Sequence, residues 1–361
     1  MTPILAQTHM DRYPELSLAL MDMKMQSELY KPSAFWEEAS LHIASELCLL
    51  GMESFRSMPM ALAFFVPTYG VPGNSFLVEQ VAELLDLVRR KYSSSKKPEL
   101  ALDQFLNGQL SALSDYRVLL ASDAPHKLPH LHNFSESAVG APVERLEFED
   151  RHFSRSSLNY LLGLAMLKKH LSDDDVPRTV VEIGGGFGTL GEVLSSSGIN
   201  DLRYIDIDIP PISFVAQHYL CEVLGKENVG TYAQTRTQSS IEVTSLPQAS
   251  VLCSWQIERL QGKVDLFINF ISFQEMEPHI VKNYLSHVSR LGTRWILLRN
   301  MREGKQIRSD ESSVGVETPI KSDDYLAMLP QYELMDRNVL PFGYRTVDGY
   351  HSELLLLRRK K

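Results

Sequence analysis

The sequence predicts an α/β fold: a doubly wound, mostly parallel sheet with an antiparallel C-terminal hairpin, preceded by a helical N-terminal unit. Three observations carry this expectation. Strand and helix patterns alternate between residues 157 and 299. A glycine-rich turn, Gly184-Gly-Gly-Phe-Gly188, joins a buried apolar strand to a helix. Asp348-Gly349 then divides two short strand candidates within 343–359, the signature of a hairpin. With 361 residues the chain suggests about two units, a helical one at 1–140 and a sheet-bearing one at 141–361.

In the first unit, Trp36, Ala39, Ile43, Leu47 and Leu50 recur at helical spacing. Leu77, Val81, Leu84 and Val88 do so behind a capping Asn74, after the turn Pro67-Thr-Tyr-Gly-Val-Pro-Gly73. A third helix is expected over 99–120. Residues 125–142 form a loop-like boundary with Pro129 and three histidines, His126, His130 and His132. No carboxylate or thiol stands near them at ligand spacing, so no metal site is expected there. The second unit opens with a helix at 157–171, an Asp173-Asp-Asp175 loop and the strand Thr179–Ile183. Strand 202–207, helix 213–224, strands 251–255 and 265–270, helix 278–291 and strand 294–299 follow.

Composition narrows the function. The apolar share is 44% and the charged share 22%, enough to build a large core without disulfides. A net charge of −9 repels phosphate backbones, so nucleic acid is not an expected partner. The basic tail Arg358-Arg-Lys-Lys361 reads as a solvated end. Cys48, Cys221 and Cys253 are widely spaced and read as small apolar residues in a reducing compartment. The opening MTPILAQTHMDRYPE lacks a signal-peptide pattern, and no apolar run reaches the roughly 20 residues of a membrane helix; the greasiest, 60–66, stops at Pro67. A cytoplasmic location is expected.

The glycine loop fits two registers. Gly186-Phe-Gly-Thr-Leu-Gly191 matches a dinucleotide fingerprint, with Asp206 twenty residues beyond Gly186 where a ribose carboxylate belongs. Glu182-x-Gly184-x-Gly186-x-Gly188 also matches the acidic loop of S-adenosylmethionine (SAM) enzymes. A carboxylate at the strand end repels a pyrophosphate and suits a sulfonium and an ammonium, which favours SAM. Gly184, Gly185, Gly186, Phe187 and Gly188 would then cradle the cofactor. Asp208, ending the next strand before a proline, is the preferred ribose acceptor, with Asp206 on the same strand face as the fallback.

These residues, with Val264-Asp-Leu-Phe-Ile-Asn-Phe-Ile-Ser-Phe-Gln-Glu-Met276, resemble the sugar O-methyltransferases of bacterial glycoside and polysaccharide pathways. Tyr30-Lys-Pro-Ser-Ala-Phe-Trp36 and Glu53-Ser-Phe-Arg56 are similar to that family's opening segment, and Gly349-Tyr-His-Ser-Glu-Leu-Leu355 to its closing strand. The resemblance implies a class I SAM fold and methyl transfer to a sugar or glycoside hydroxyl.

Such a transfer needs a proton acceptor near the cofactor. Glu275 and His279 share a face if a helix starts at Ser272, although Ser272-Phe-Gln-Glu275 also reads as a capping box. His351, with Glu353 two residues on, is the third candidate. Asn269 and Phe270, at the fourth strand's end, are expected against the cofactor, and Trp255 can stack on adenine or be core. Ser272 and Arg155 are expected toward the acceptor; Arg155, which with His152 precedes the first helix of this unit, could also clamp the cofactor's carboxylate, although an Arg at a helix start more often lies on the surface. No Asp/Glu/His trio has persuasive spacing, so metal-independent chemistry is expected. The N-terminal unit is expected to act as a lid or a dimer interface. An NAD-dependent sugar oxidoreductase and a non-methylating SAM protein are the rival classes.

Overall fold

Apolar spacing sets the N-terminal helices, and a single glycine divides what the pattern had joined. The computed structural model describes residues 12–58, 78–106, 108–172, 175–308, 315–346 and 349–360. Asn74, Leu77, the 67–73 turn, the 60–66 run, Asp173, Asp174 and Asp348 lie outside them. Helices α1 (Pro14–Lys24), α2 (Ala34–Leu50), α3 (Val78–Lys91), α4 (Lys97–Leu106) and α5 (Gln109–Ser122) come first. The helix expected over 99–120 is two helices, because Gly108 takes a left-handed φ of 80° before α5. Helix α1 had no counterpart in the sequence pattern.

Strands β1 (Leu146–Phe148) and β2 (Arg151–Phe153) form an unpredicted hairpin through left-handed Glu149 and Asp150. Helix α6 (Arg155–Lys168) then starts two residues earlier than expected, capped by the Ser154 side chain. It leads to β3 (Thr179–Ile183), α7 (Thr189–Ser195), β4 (Arg203–Asp208) and α8 (Ile212–Leu224). Next come β5 (Val229–Gly230), α9 (Tyr232–Thr235), β6 (Ile241–Glu242) and β7 (Ala249–Cys253). β7 runs two residues upstream of the expected 251–255, so Trp255 falls in the 3-10 turn Ser254–Arg259 that follows it. The chain closes with β8 (Leu260–Gln261), β9 (Leu266–Phe270), α10 (Pro278–Arg290), β10 (Trp295–Met301), α11 (Ser322–Met328), β11 (Tyr332–Asn338), β12 (Tyr344–Arg345) and β13 (His351–Arg359).

The main sheet has the order β11-β13-β10-β9-β3-β4-β7-β5. From β10 to β5 every pairing is parallel, whereas β13 runs antiparallel to β10, β11 and β12. The expected C-terminal hairpin is thus β12–β13, and its long strand is threaded into the sheet. Both faces are covered, as a parallel sheet requires. Alternate residues feed two cores: Val180, Ile268, Leu297 and Leu356 on one face, Val181, Phe267, Ile296 and Leu357 on the other. Strand order reverses at β3, which lies between β4 and β9, so a crevice opens at the carboxyl ends of these strands.

The N-terminal segment shares the first core: Ile43, Leu47 and Phe55 pack in one cluster with Phe187 and Tyr219. Next to Phe55, buried Arg56 pairs with buried Glu136. The second Glu136 oxygen accepts the Ser157 hydroxyl at 2.8 Å, on the first turn of α6. Arg56→Ala would leave that carboxylate buried and uncompensated, so a loss of about 3–5 kcal/mol in urea unfolding is expected, partly restored by a second change, Glu136→Gln. A loss within about 1 kcal/mol would show that this pair does not anchor the segment.

Candidate active site

Strand β3 ends at Ile183 and the chain turns through Gly184 at φ 73°. A Cβ there would lie 2.1 Å from the Ser272 hydroxyl, so only glycine lets the loop pass the segment after β9. The loop is then pinned to β4. Gly185 N–H donates to Asp206 Oδ1 and Gly186 N–H to Asp208 Oδ2, each at 3.2 Å. Phe187 turns inward, edge-on to Phe55 and Tyr219, with the Arg56 guanidinium 4.7 Å from its ring centre.

Above this loop lies a cleft of about 280 Å³. Gly184, Gly185, Gly186, Phe187 and Asp208 line it, with Ile207, Ile209, Ile212, Met276, Ile280 and Tyr284 as its apolar part. Lys31, Ser33 and Trp36 from the N-terminal segment, Ser156, Asn159 and Tyr160 from α6, and Phe270, Ser272, Glu275 and Lys305 form a more polar side. Tyr160 stacks on Phe270 at 4.9 Å and an interplanar angle of 6°. Ile271 lines the floor at φ 74°, ψ −39°, a strained backbone for a β-branched residue.

The expected site residues separate into three groups. Gly184, Gly185, Gly186, Phe187, Asp208, Phe270, Ser272 and Glu275 meet at the cleft; Gly188, in the left-handed region, instead caps α7 beside Leu220. Glu182, Asp206 and Asn269 lie beneath it. Glu182 is fully buried between the hydroxyls of Tyr160 (2.7 Å) and Tyr204 (2.6 Å), so its charge is not presented to a ligand as the sequence suggested. Asn269 ties strand ends together, donating to Ile183 O at 2.9 Å and Ser272 Oγ at 2.6 Å while accepting from Phe273 N and Asn300.

Four other candidates stand away from the cleft lining. Trp255 is buried edge-on against Tyr232, with only its neighbour Ser254 reaching the cleft. His279 is exposed on the first turn of α10. Half-buried His351 meets Glu303 at 2.7 Å, not Glu353, which is buried near Arg337. Arg155 is buried against Glu144, its Nε donating at 2.7 Å, while His152 lies half-buried 3.6 Å from Glu147.

Glu275 needs its own correction. Residues Ser272–Glu275 form a 3-10 turn without a side-chain cap, and α10 starts only at Pro278. Glu275 therefore does not cap, and it shares no helix with His279. Its Oε1 instead accepts from Lys305 Nζ at 2.7 Å and its Oε2 from Trp36 Nε1 at 3.0 Å. Sequence reasoning missed Lys305, Tyr160 and the cleft role of Trp36. Lys305 follows the parallel strand β10, where doubly wound folds place ligand contacts, and that rule was the available signal.

The geometry separates the two glycine registers. A pyrophosphate needs free loop amides, but those of Gly185 and Gly186 are taken by Asp206 and Asp208. Asp206 is fully buried, so it cannot reach a ribose, whereas half-buried Asp208 lines the cleft. Among the described residues no group of three His, Cys, Asp or Glu side chains could hold a metal ion, and no helix is long and apolar enough to cross a membrane.

No protein-family model matches the chain, and no curated protein matches it. Among solved structures it is similar to the mitomycin 7-O-methyltransferase MmcR, at 15% identity over 57% of this chain and 55% of that one, TM-score 0.37. It is also similar to magnesium protoporphyrin IX methyltransferase from Synechocystis PCC 6803 with bound SAM, at 15% identity over 57% of this chain and 80% of that one, TM-score 0.37. A third is a SAM-dependent methyltransferase from Clostridium acetobutylicum, at 14% identity over 55% and 91%, TM-score 0.36. At such low scores the fold assignment stands on the strand order and the pinned loop instead.

Three carboxyls crowd this loop. Burial pushes Glu182 and Asp208 up to about 7 and Asp206 well above the carboxylate range, and one Asp206 oxygen has no partner. An unfolded carboxyl ionises near pH 4, so above that pH the unfolded chain holds fewer protons than the folded one. Stability from this cluster therefore falls as pH rises from about 4 through 7. Asp206→Asn removes one such charge, and its melting temperature should gain on the wild type as pH is raised from 5 to about 8. A constant difference across that window would show that Asp206 titrates alike in both states.

Proposed function

We propose that the chain is a SAM-dependent O-methyltransferase acting on a hydroxyl of a sugar or glycosylated metabolite. The observation that carries the reading is the loop pinned by Asp206 and Asp208, which spends its amides on carboxylates and leaves Asp208 at the cleft. Such a rim favours a cationic, ribose-bearing ligand over a pyrophosphate. Asp208 would accept from the ribose hydroxyls and the apolar part from Ile207 to Tyr284 would take the adenine. When bound, SAM supplies a methyl group on a sulfonium. The sugar acceptor follows from the sequence resemblance, supported by the polar side formed by Lys31, Ser33, Ser156, Asn159 and Lys305.

Transfer in line requires the acceptor oxygen to be held against the methyl, and positioning of this kind supplies roughly 7–11 kcal/mol. In this reading the polar side holds the acceptor and Glu275 takes its hydroxyl proton. Lys305 and Trp36 hold the carboxylate in one orientation, and the ammonium offsets its charge in the cleft. The N-terminal segment acts as a lid, through Lys31, Ser33 and Trp36.

Calorimetry with SAM and with NAD tests the cofactor, and binding of NAD without SAM would overturn the reading. Asp208→Ala should weaken SAM by about 1.5–3 kcal/mol, the value of hydrogen bonds to a charged group; unchanged affinity would remove Asp208 from the ribose site. Glu275→Gln should cut turnover about a hundredfold or more with SAM affinity retained. Full turnover in that variant would assign the proton to another acceptor.

A further inference from the structure

Glu182 is fully buried at the end of β3, and two tyrosines close it off from the cleft. The Tyr160 hydroxyl donates to its Oε1 at 2.7 Å and the Tyr204 hydroxyl to its Oε2 at 2.6 Å. The two tyrosines are not equivalent. Tyr204 belongs to β4 and is absent from the cleft lining, whereas Tyr160, on α6, lines the cleft with Gly184 and Gly185. Tyr160 therefore touches both the buried carboxylate and the space a ligand would enter.

Its ring is fixed in place. Tyr160 stacks on Phe270 at 4.9 Å, and Phe270 fills the space over Gly163, where a Cβ would fall 2.5 Å from the ring Cζ. Burial and the Glu182 charge hold the Tyr160 phenol well above the ordinary tyrosine range, so it stays protonated and remains the donor in this pair. A hydroxyl that donates its proton still carries lone pairs. Donation to a carboxylate polarises that oxygen, so a bond it accepts is strengthened. The backbone acceptor at this strand end is already spent: Ile183 O receives Asn269 Nδ2 at 2.9 Å and Ser272 Oγ at 3.1 Å.

We propose that Tyr160 holds the ammonium of the SAM aminocarboxylate tail: its phenol oxygen accepts from the ammonium while its proton stays on Glu182. The buried carboxylate then acts on the cofactor through the tyrosine, and Glu182 is a positioning residue. The assignment rests on the methyl-transfer reading and names a cofactor contact within it. It gives the acidic strand end a part that a fully buried side chain cannot play directly.

S-adenosylhomocysteine and methylthioadenosine share the nucleoside and a neutral thioether and differ in the aminocarboxylate tail. Calorimetry with both ligands therefore isolates that tail. Tyr160→Phe keeps the stack on Phe270 and removes only the oxygen. It should weaken S-adenosylhomocysteine about tenfold or more, the loss expected for one hydrogen bond to a charged group, and leave methylthioadenosine unchanged. Glu182→Gln, which keeps the shape and removes the charge, should show the same selective loss, and it carries the test if Tyr160→Phe fails to fold. Equal losses for the two ligands mark a structural role and overturn the assignment, as does full affinity for S-adenosylhomocysteine in the variants. A wild-type chain that binds neither ligand strikes the methyl-transfer reading itself, and the assignment falls with it.

Discussion

Two carboxylate–amide hydrogen bonds, Asp206 to Gly185 and Asp208 to Gly186, fasten the loop after β3 to its neighbouring strand. Much of the site follows from this attachment. Because β3 and β4 are parallel, with Glu182 opposite Asp206, both strand ends arrive at the same edge of the sheet. The loop amides then find acceptors within the protein. What remains for a ligand is the outer carboxylate, Asp208, and the surface that the glycines leave open. Even the strained Ile271 fits this frame: its N–H donates to Arg299 O at 2.6 Å, so the turn over the glycines is bound to the next strand.

The N-terminal segment is joined to this frame by polar contacts as well as by its core. Trp36 reaches Glu275, Tyr30 donates to Glu258 at 2.8 Å, and Glu15 accepts from Ala233 N at 2.9 Å. Arg56 meets Phe187, the one loop residue that turns into the core. A change in how this segment packs therefore reaches both the glycine loop and Glu275 in the cleft. Charge-assisted contacts across so wide a sequence separation hold only while the helices stay docked, so wall and floor form together.

The fold was legible because the strands are short apolar runs between clear helical periods, and Thr179–Ile183 shows this without ambiguity. Asp208 was legible for a similar local reason, since Pro210 and Pro211 end the strand just past it. Trp36 was not: its spacing with Ile43 and Leu47 says only that it lies on an apolar stripe, and its indole bond spans 239 residues. The Ser272-to-Glu275 spacing gave a local answer that tertiary structure overrode, because Lys305 offers the carboxylate a stronger partner than a backbone N–H. Helix α1 pairs weak periodicity with mostly long-range contacts, such as Asp22 to Arg236 and Tyr232, and those cannot be seen in a single stretch of chain.

Glu182, Asp206 and Asp208 also set a relation between proton and ligand. Burial holds these carboxyls above the range of free ones, which favours their protonated forms. A cation arriving beside Asp208 favours the ionised forms and drives those protons into solvent, so uptake of the one and release of the other become a single linked equilibrium. Affinity for a cation then strengthens with rising pH, over the same range in which the unliganded fold weakens. Heats of binding measured in buffers of different ionisation enthalpy would differ by the protons expelled.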